Sequence, residues 1–98
     1  VFYLSTRNTL IAREIVSVGT LNESLVHPRE IFEPALLHGA ARVLLAHNHP
    51  SGDPEPSRDD IEITCRIKEA GKLLGIGLVD HVIITKGRFL SFKDRGVL

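Results

Sequence analysis

Cysteine is almost missing from this chain: Cys65 is the single thiol among 98 residues. An internal disulfide is therefore excluded, as is a zinc site built from several cysteines. One unpaired thiol suits a reducing compartment, and the cytoplasm is the expected location. Net charge is missing too. Twelve Lys and Arg offset twelve Asp and Glu, so the basic footprint of a nucleic-acid module is lacking, although a local patch remains open. No apolar run approaches the roughly 18 residues of a membrane helix, and no signal-peptide pattern opens the chain. Internal repeats and low-complexity tracts are absent. The first residue is Val1 rather than methionine, and it already lies in a strand-like run, which leads us to expect a piece of a longer protein.

What is present is ordinary globular material, 43% hydrophobic and 24% charged, enough for one domain over residues 1–98 with a modest core. Residues 1–5 and 9–18 read as a hairpin, turning at Arg7-Asn8. The second strand puts Leu10, Ala12, Glu14, Val16 and Val18 on one face. Glu14 is the one charge in that row, and a buried carboxylate is costly unless paired, hydrogen-bonded or metal-bound. A strand-end Glu reaching solvent, or a register slipped by one residue, explains it equally well. Gly19-Thr20 ends the strand, and residues 22–27 read as irregular or briefly extended. A helix is expected over 29–38, with Pro28 tolerated at its start and Gly39 as its stop. Pro34 makes its first turn irregular or moves its start towards Glu33.

Residues 42–49 form the expected central strand, apolar on both faces and covered by a helix on each side. His47 and His49 are two apart, so both imidazoles leave the strand on the face of Val43 and Leu45, at its C-terminal end. The longest helix is expected over 57–74. Ser57 is a good N-cap, and Asp59 and Asp60 complement the helix dipole. Asp60 shares the face of Ile63, Ile67, Ala70 and Leu74, so it points inward, which capping alone explains poorly. Residues 78–85 and 89–92 form a closing hairpin around Lys86-Gly87, followed by a polar end at Asp94-Arg95-Gly96. The order β-β-α-β-α-β-β gives an α/β (α+β) fold with a mixed sheet flanked by helices.

Two histidines on one strand face and an inward aspartate at a helix start, joined by a tight loop, suit a two-His, one-carboxylate zinc site. Three protein ligands leave the fourth position open, the mark of a catalytic rather than a structural zinc. Such a zinc would activate water and polarise a carbonyl. Glu14 is the inward carboxylate left over for a general base, and Ser57 could donate a hydrogen bond to a developing oxyanion as well as, or instead of, capping the helix.

His47-Asn48-His49-Pro50, then six residues, Ser57, two residues and Asp60 match H-x-H-P-x6-S-x2-D, the JAMM motif of the JAB/MPN metalloenzymes. The wording HNHPSGDPEPSRDD, with LLAH before it, LVDHVII and SFKDRG after it, and VGT-x5-VHPREIF upstream, resembles the bacterial RadC branch. The resemblance covers essentially the whole chain. It implies the JAB/MPN fold, related to that of cytidine deaminases, and a position as the C-terminal part of a longer protein. It implies further that His47, His49 and Asp60 bind zinc, that Glu14 is the general base, and that Ser57 is a hydrogen-bond donor on the oxyanion side. The upstream glutamate has variable spacing in the motif, so Glu14 is placed by Gly19-Thr20 and by its strand face. Asn48 stands where the eukaryotic deubiquitinating members usually carry Ser or Thr, which weakens a ubiquitin-specific reading and leaves the metal site intact.

The expected activity is zinc-dependent hydrolysis of an amide or isopeptide bond in a peptide or protein substrate. The alternative is a non-catalytic protein-interaction or DNA-repair accessory module. RadC-like proteins carry a DNA-repair label, and longer members have a helix-hairpin-helix-like region, absent here, as the natural DNA contact. A metal-dependent nuclease is disfavoured by the neutral charge, and deamination by the lack of the H-x-E and P-C-x-x-C signature. His81 reads as a satisfied core histidine in preference to a group backing a metal ligand. His27 and His38 read as surface or helix-end residues, Cys65 as packing, and Pro50, Gly52, Pro54 and Pro56 as shaping the loop. Strand edges near Val1 or Phe89 could pair with a peptide or a second copy; no oligomeric state and no membrane partner is indicated.

Overall fold

The computed structural model describes residues 1–16 and 26–98. The expected strand end at Gly19-Thr20, the last two residues of the expected second strand and positions 22–25 of the irregular stretch lie outside them. The elements are β1 (Phe2–Leu4), β2 (Leu10–Arg13), α1 (Pro28–His38), β3 (Arg42–Asn48), α2 (Arg58–Leu74), β4 (Gly77–Thr85), β5 (Arg88–Ser91) and α3 (Phe92–Arg95). The five strands form one sheet in the order β2-β1-β3-β4-β5. β3 and β4 run parallel and the other neighbours antiparallel. A parallel pair needs a crossover, and α2 supplies it. The expected mixed sheet with flanking helices is present.

The arrangement of its layers differs from expectation. Ile31, Phe32 and Ala35 of α1 and Ile63 and Ile67 of α2 share one buried cluster with Tyr3, Val43 and Leu45. Val43 and Leu45 point to one face of β3, so both long helices cover that face, and among the described residues neither of them covers the other. The apolar run in β3 has a simpler cause. Leu44 and Ala46, on the other face, are half-buried beside their cross-strand partners Phe2 and Val82, which is partial cover without a helix.

Local chemistry accounts for the element ends. His27 caps α1 through its ring, which accepts the Arg29 N–H at 3.1 Å, and the helix runs unbroken through Pro34. The expected irregular first turn is absent because Pro28 and the His27 cap already fix it. β2 stops at Arg13, short of the expected length, yet alternation persists: Ala12, Glu14 and Val16 are half-buried while Arg13 and Ile15 are exposed. Leu10 departs from that face pattern and is exposed, because the β1–β2 register shifts between Tyr3 and Leu4. The polar end is in fact the short helix α3, capped by Ser91 Oγ, with Phe92 fully buried at its start. Cys65 and Leu74 are exposed, not packed. The buried stripe of α2 is narrower than the wheel suggests: Asp60, Ile63, Thr64, Ile67 and Gly71.

Candidate metal centre

The parallel β3–β4 pair and the start of α2 build the centre. β3 carries His47 and, one residue past its end, His49. The loop after Pro50 returns the chain so that Ser57 caps α2 and Asp60 enters from the third helical position. Asp60 is 2% exposed. Its Oδ2 accepts the Ser57 N–H at 2.7 Å, while Ser57 Oγ accepts the Asp60 N–H at 3.0 Å. Asp60 therefore completes a capping box after all, and it points inward as well. The same Oδ2 lies 3.0 Å from His49 Nε2, and Oδ1 lies 3.3 Å from His47 Nε2. The two Nε2 atoms are 3.0 Å apart.

The donor set fits a cation. His49 Nδ1 sits 3.0 Å from the Asp53 carbonyl, which can only accept. The proton of a neutral His49 is therefore on Nδ1, and Nε2 presents a lone pair to the carboxylate. Burial lowers the pKa of His47 below the usual histidine value, against the opposing attraction of Asp60, which favours the neutral ring that a ligand must present. His49 Nε2 and the Asp60 oxygens thus present lone pairs to one point beside His47 Nε2, an arrangement that a proton or a metal ion among them satisfies. His47, His49 and Asp60 are the one such group of three among the described residues.

Behind His47 stands His81, 1% exposed. Its Nε2 is 2.7 Å from His47 Nδ1, its Nδ1 is 2.6 Å from Thr64 Oγ1, and its ring stacks on Phe92 at 4.5 Å between centroids. Burial, reinforced by His47, pushes its pKa down to about 3, so it is neutral at pH 7. The reading of His81 as a satisfied core histidine holds, and the same ring backs the cluster. Thr64 escaped the sequence reading, although its place four residues after Asp60 puts both on one helix face.

The other two site candidates are not among the three converging groups, although Ser57 is bonded to Asp60. Glu14 Oε2 is 3.3 Å from His38 Nε2, yet Glu14 and His47 line the same cavity, of about 400 Å³. His38 is thus a helix-end residue with a partner that spacing did not reveal. Ser57 is exposed. Its cap uses a lone pair, so its hydroxyl proton remains free to be donated.

The model of the RadC-like JAB domain matches residues 1–97. A "UPF0758 protein" of Methanosarcina acetivorans is 56% identical over 94 residues, covering 96% of this chain and 41% of the relative. Others are a "UPF0758 protein" of Methanococcoides burtonii, 53% identical over 96 residues (98% and 42%), and one of Geotalea uraniireducens, 55% identical over 95 residues (97% and 42%). The chain thus spans about two-fifths of the length of these curated relatives.

Proposed function

Because the chain belongs to the RadC-like JAB family, we propose that it is a zinc-dependent hydrolase of JAMM type that cleaves an amide or isopeptide bond in a peptide or protein. The observation that carries this reading is the convergence of His47 Nε2, His49 Nε2 and the Asp60 carboxylate, at separations of 3.0 to 3.3 Å. Tetrahedral donors about 2.0–2.1 Å from one zinc lie about 3.3 Å from each other, so this spacing supports zinc. When bound, zinc supplies Lewis acidity that activates water and polarises the scissile carbonyl. Glu14 takes the proton of the attacking water and passes it to the leaving amine. Ser57 donates a hydrogen bond to the oxygen on which negative charge develops. The cavity that Glu14 and His47 share is where a substrate chain would lie. Any DNA contact is assigned to parts of the longer relatives outside this chain.

One observation favours the second reading, an interaction or DNA-repair accessory module: the Glu14 carboxylate is engaged by His38. The test is zinc content by elemental analysis, then peptide and isopeptide cleavage, with Glu14→Ala and His47→Ala/His49→Ala as controls. The hydrolase reading expects about one zinc per chain, retained in Glu14→Ala with turnover abolished and lost in the double variant. Protein that takes up no zinc at neutral pH, or turnover that survives Glu14→Ala, would sink it.

A further inference from the structure

Thr64 and His81 belong to neither the ligand set nor the cap, yet they are buried and joined to both. The direction of each hydrogen bond between them can be worked out from one fixed point. Thr64 Oγ1 is 2.6 Å from the Asp60 carbonyl and 2.6 Å from His81 Nδ1. A carbonyl oxygen cannot donate, so the single hydroxyl proton of Thr64 goes to Asp60 O. The hydroxyl oxygen must then accept, and the proton it accepts is on His81 Nδ1. A neutral imidazole carries one ring proton, and Thr64 has claimed it. His81 Nε2 is consequently an acceptor, and the His47 Nδ1 that faces it at 2.7 Å must donate. His47 is left with an unprotonated Nε2, the atom aimed at Asp60 and His49.

We infer that Thr64 and His81 are a positioning pair: the relay from Asp60 O through Thr64 and His81 fixes the proton of His47 on Nδ1 and leaves Nε2 as a preformed metal-binding lone pair. The relay starts and ends on the same centre, since Asp60 supplies both the carbonyl that orients Thr64 and the carboxylate beside His47. Phe92, stacked on His81 with 17° between the ring planes, holds the ring in the plane the two bonds require. Reversing any one of these three bonds sets two protons or two lone pairs against each other inside the core, which is costly where water cannot intervene; the lone pairs left facing one another at His47 Nε2, His49 Nε2 and Asp60 are those a cation would satisfy. The inference deepens the metal-site reading and rests on it only for its consequence; the tautomer belongs to the metal-free chain.

The test has two arms. Long-range proton–nitrogen NMR correlation of the histidine rings in metal-free protein reads the tautomer of His47 directly. Wild type is expected to carry the proton on Nδ1. Thr64→Val, close in shape but without the hydroxyl, is expected to release His81 and give His47 a mixed or Nε2-protonated form, and Thr64→Ser to restore the wild-type pattern. In the second arm, zinc affinity by chelator competition is expected to fall roughly 10-fold or more in Thr64→Val, the range for losing an outer partner of a ligand, and to recover in Thr64→Ser. Loss of packing alone would lower stability without moving the proton. An Nε2-protonated His47 in the wild type overturns the inference with no variant needed. So does a Thr64→Val protein that keeps both tautomer and affinity. A wild type with the expected tautomer and no zinc uptake would uphold the relay and fail the metal-site reading instead.

Discussion

The Asp60 carboxylate serves a helix cap through Oδ2 and the candidate ligand cluster through both oxygens, and a single substitution separates the roles. Asparagine keeps an oxygen for the Ser57 N–H but loses the charge that faces His47 and His49. Asp60→Asn is therefore expected to hold metal-free stability within about 1 kcal/mol while zinc affinity falls about 100-fold or more, beyond the loss of an outer partner alone. Ser57→Ala should do the reverse, costing about 1 kcal/mol with little change in affinity. Calorimetric zinc titration beside thermal melts checks both, and similar affinities in all three proteins would remove Asp60 from the site. Tyr3 offers a second residue-scale test, because it is the one tyrosine and there is no tryptophan. Its hydroxyl donates to the Ile31 carbonyl at 2.9 Å inside the core. Burial, and then the nearby Glu14 charge, push its pKa up to about 12. Between pH 10 and 12 the unfolded chain holds fewer protons than the folded one, so this contribution is complete below pH 10 and is lost as pH rises through that window. Phenolate absorbance should titrate near 12 in folded protein and near 10 in denaturant. A native midpoint near 10 would contradict the buried hydroxyl.

At the scale of elements, the close return of the chain from α2 towards β4 depends on a missing side chain. A Cβ on Gly71 would stand 2.3 Å from the Ile76 carbonyl and 3.3 Å from Phe32 Cζ. That carbonyl is backbone and cannot swing away, so Gly71→Ala is expected to destabilise by about 1–3 kcal/mol despite alanine's better helix propensity. Denaturant melts read the loss; a neutral or stabilising result would mean that the Ile76 backbone gives way freely. Nothing in the sequence marks Gly71 as a contact, since glycine inside a helical pattern looks like a mere cost. What was legible had a local cause: α2 begins at a Ser57 cap, the β4–β5 hairpin turns at Lys86-Gly87, and the two histidines share a face because strands alternate. What was not legible depended on distant partners. α3 is four residues of mostly polar chain, and only the burial of Phe92 against His81 makes it part of the core. Both helices lie on one face of the sheet, which the pattern of β3 could not distinguish from cover on both. The candidate site was readable for its three converging groups because they fall within fourteen residues; Glu14's contact with His38, 24 residues away, was not.

Among the described residues the two faces of the sheet are covered unequally. One face of the sheet is sealed by α1, α2 and Phe92, while the other leaves Ile84 and Phe89 exposed at its β4–β5 edge. The candidate metal centre would tie together β3 and the start of α2, elements joined otherwise by packing on the sealed face. A ligand bound only by the folded state adds stability by mass action, about 2.7 kcal/mol at a hundredfold excess over Kd. In a domain of this size each kcal/mol moves Tm by roughly 4–8 °C. Zinc at that excess is therefore expected to raise Tm by roughly 10–20 °C, and a chelator to reverse it. Differential scanning calorimetry with and without zinc makes the measurement, and His47→Ala/His49→Ala should abolish the shift. An equal rise in the double variant would locate the binding elsewhere, and no rise in the wild type would leave the crowded lone pairs to be satisfied by a proton.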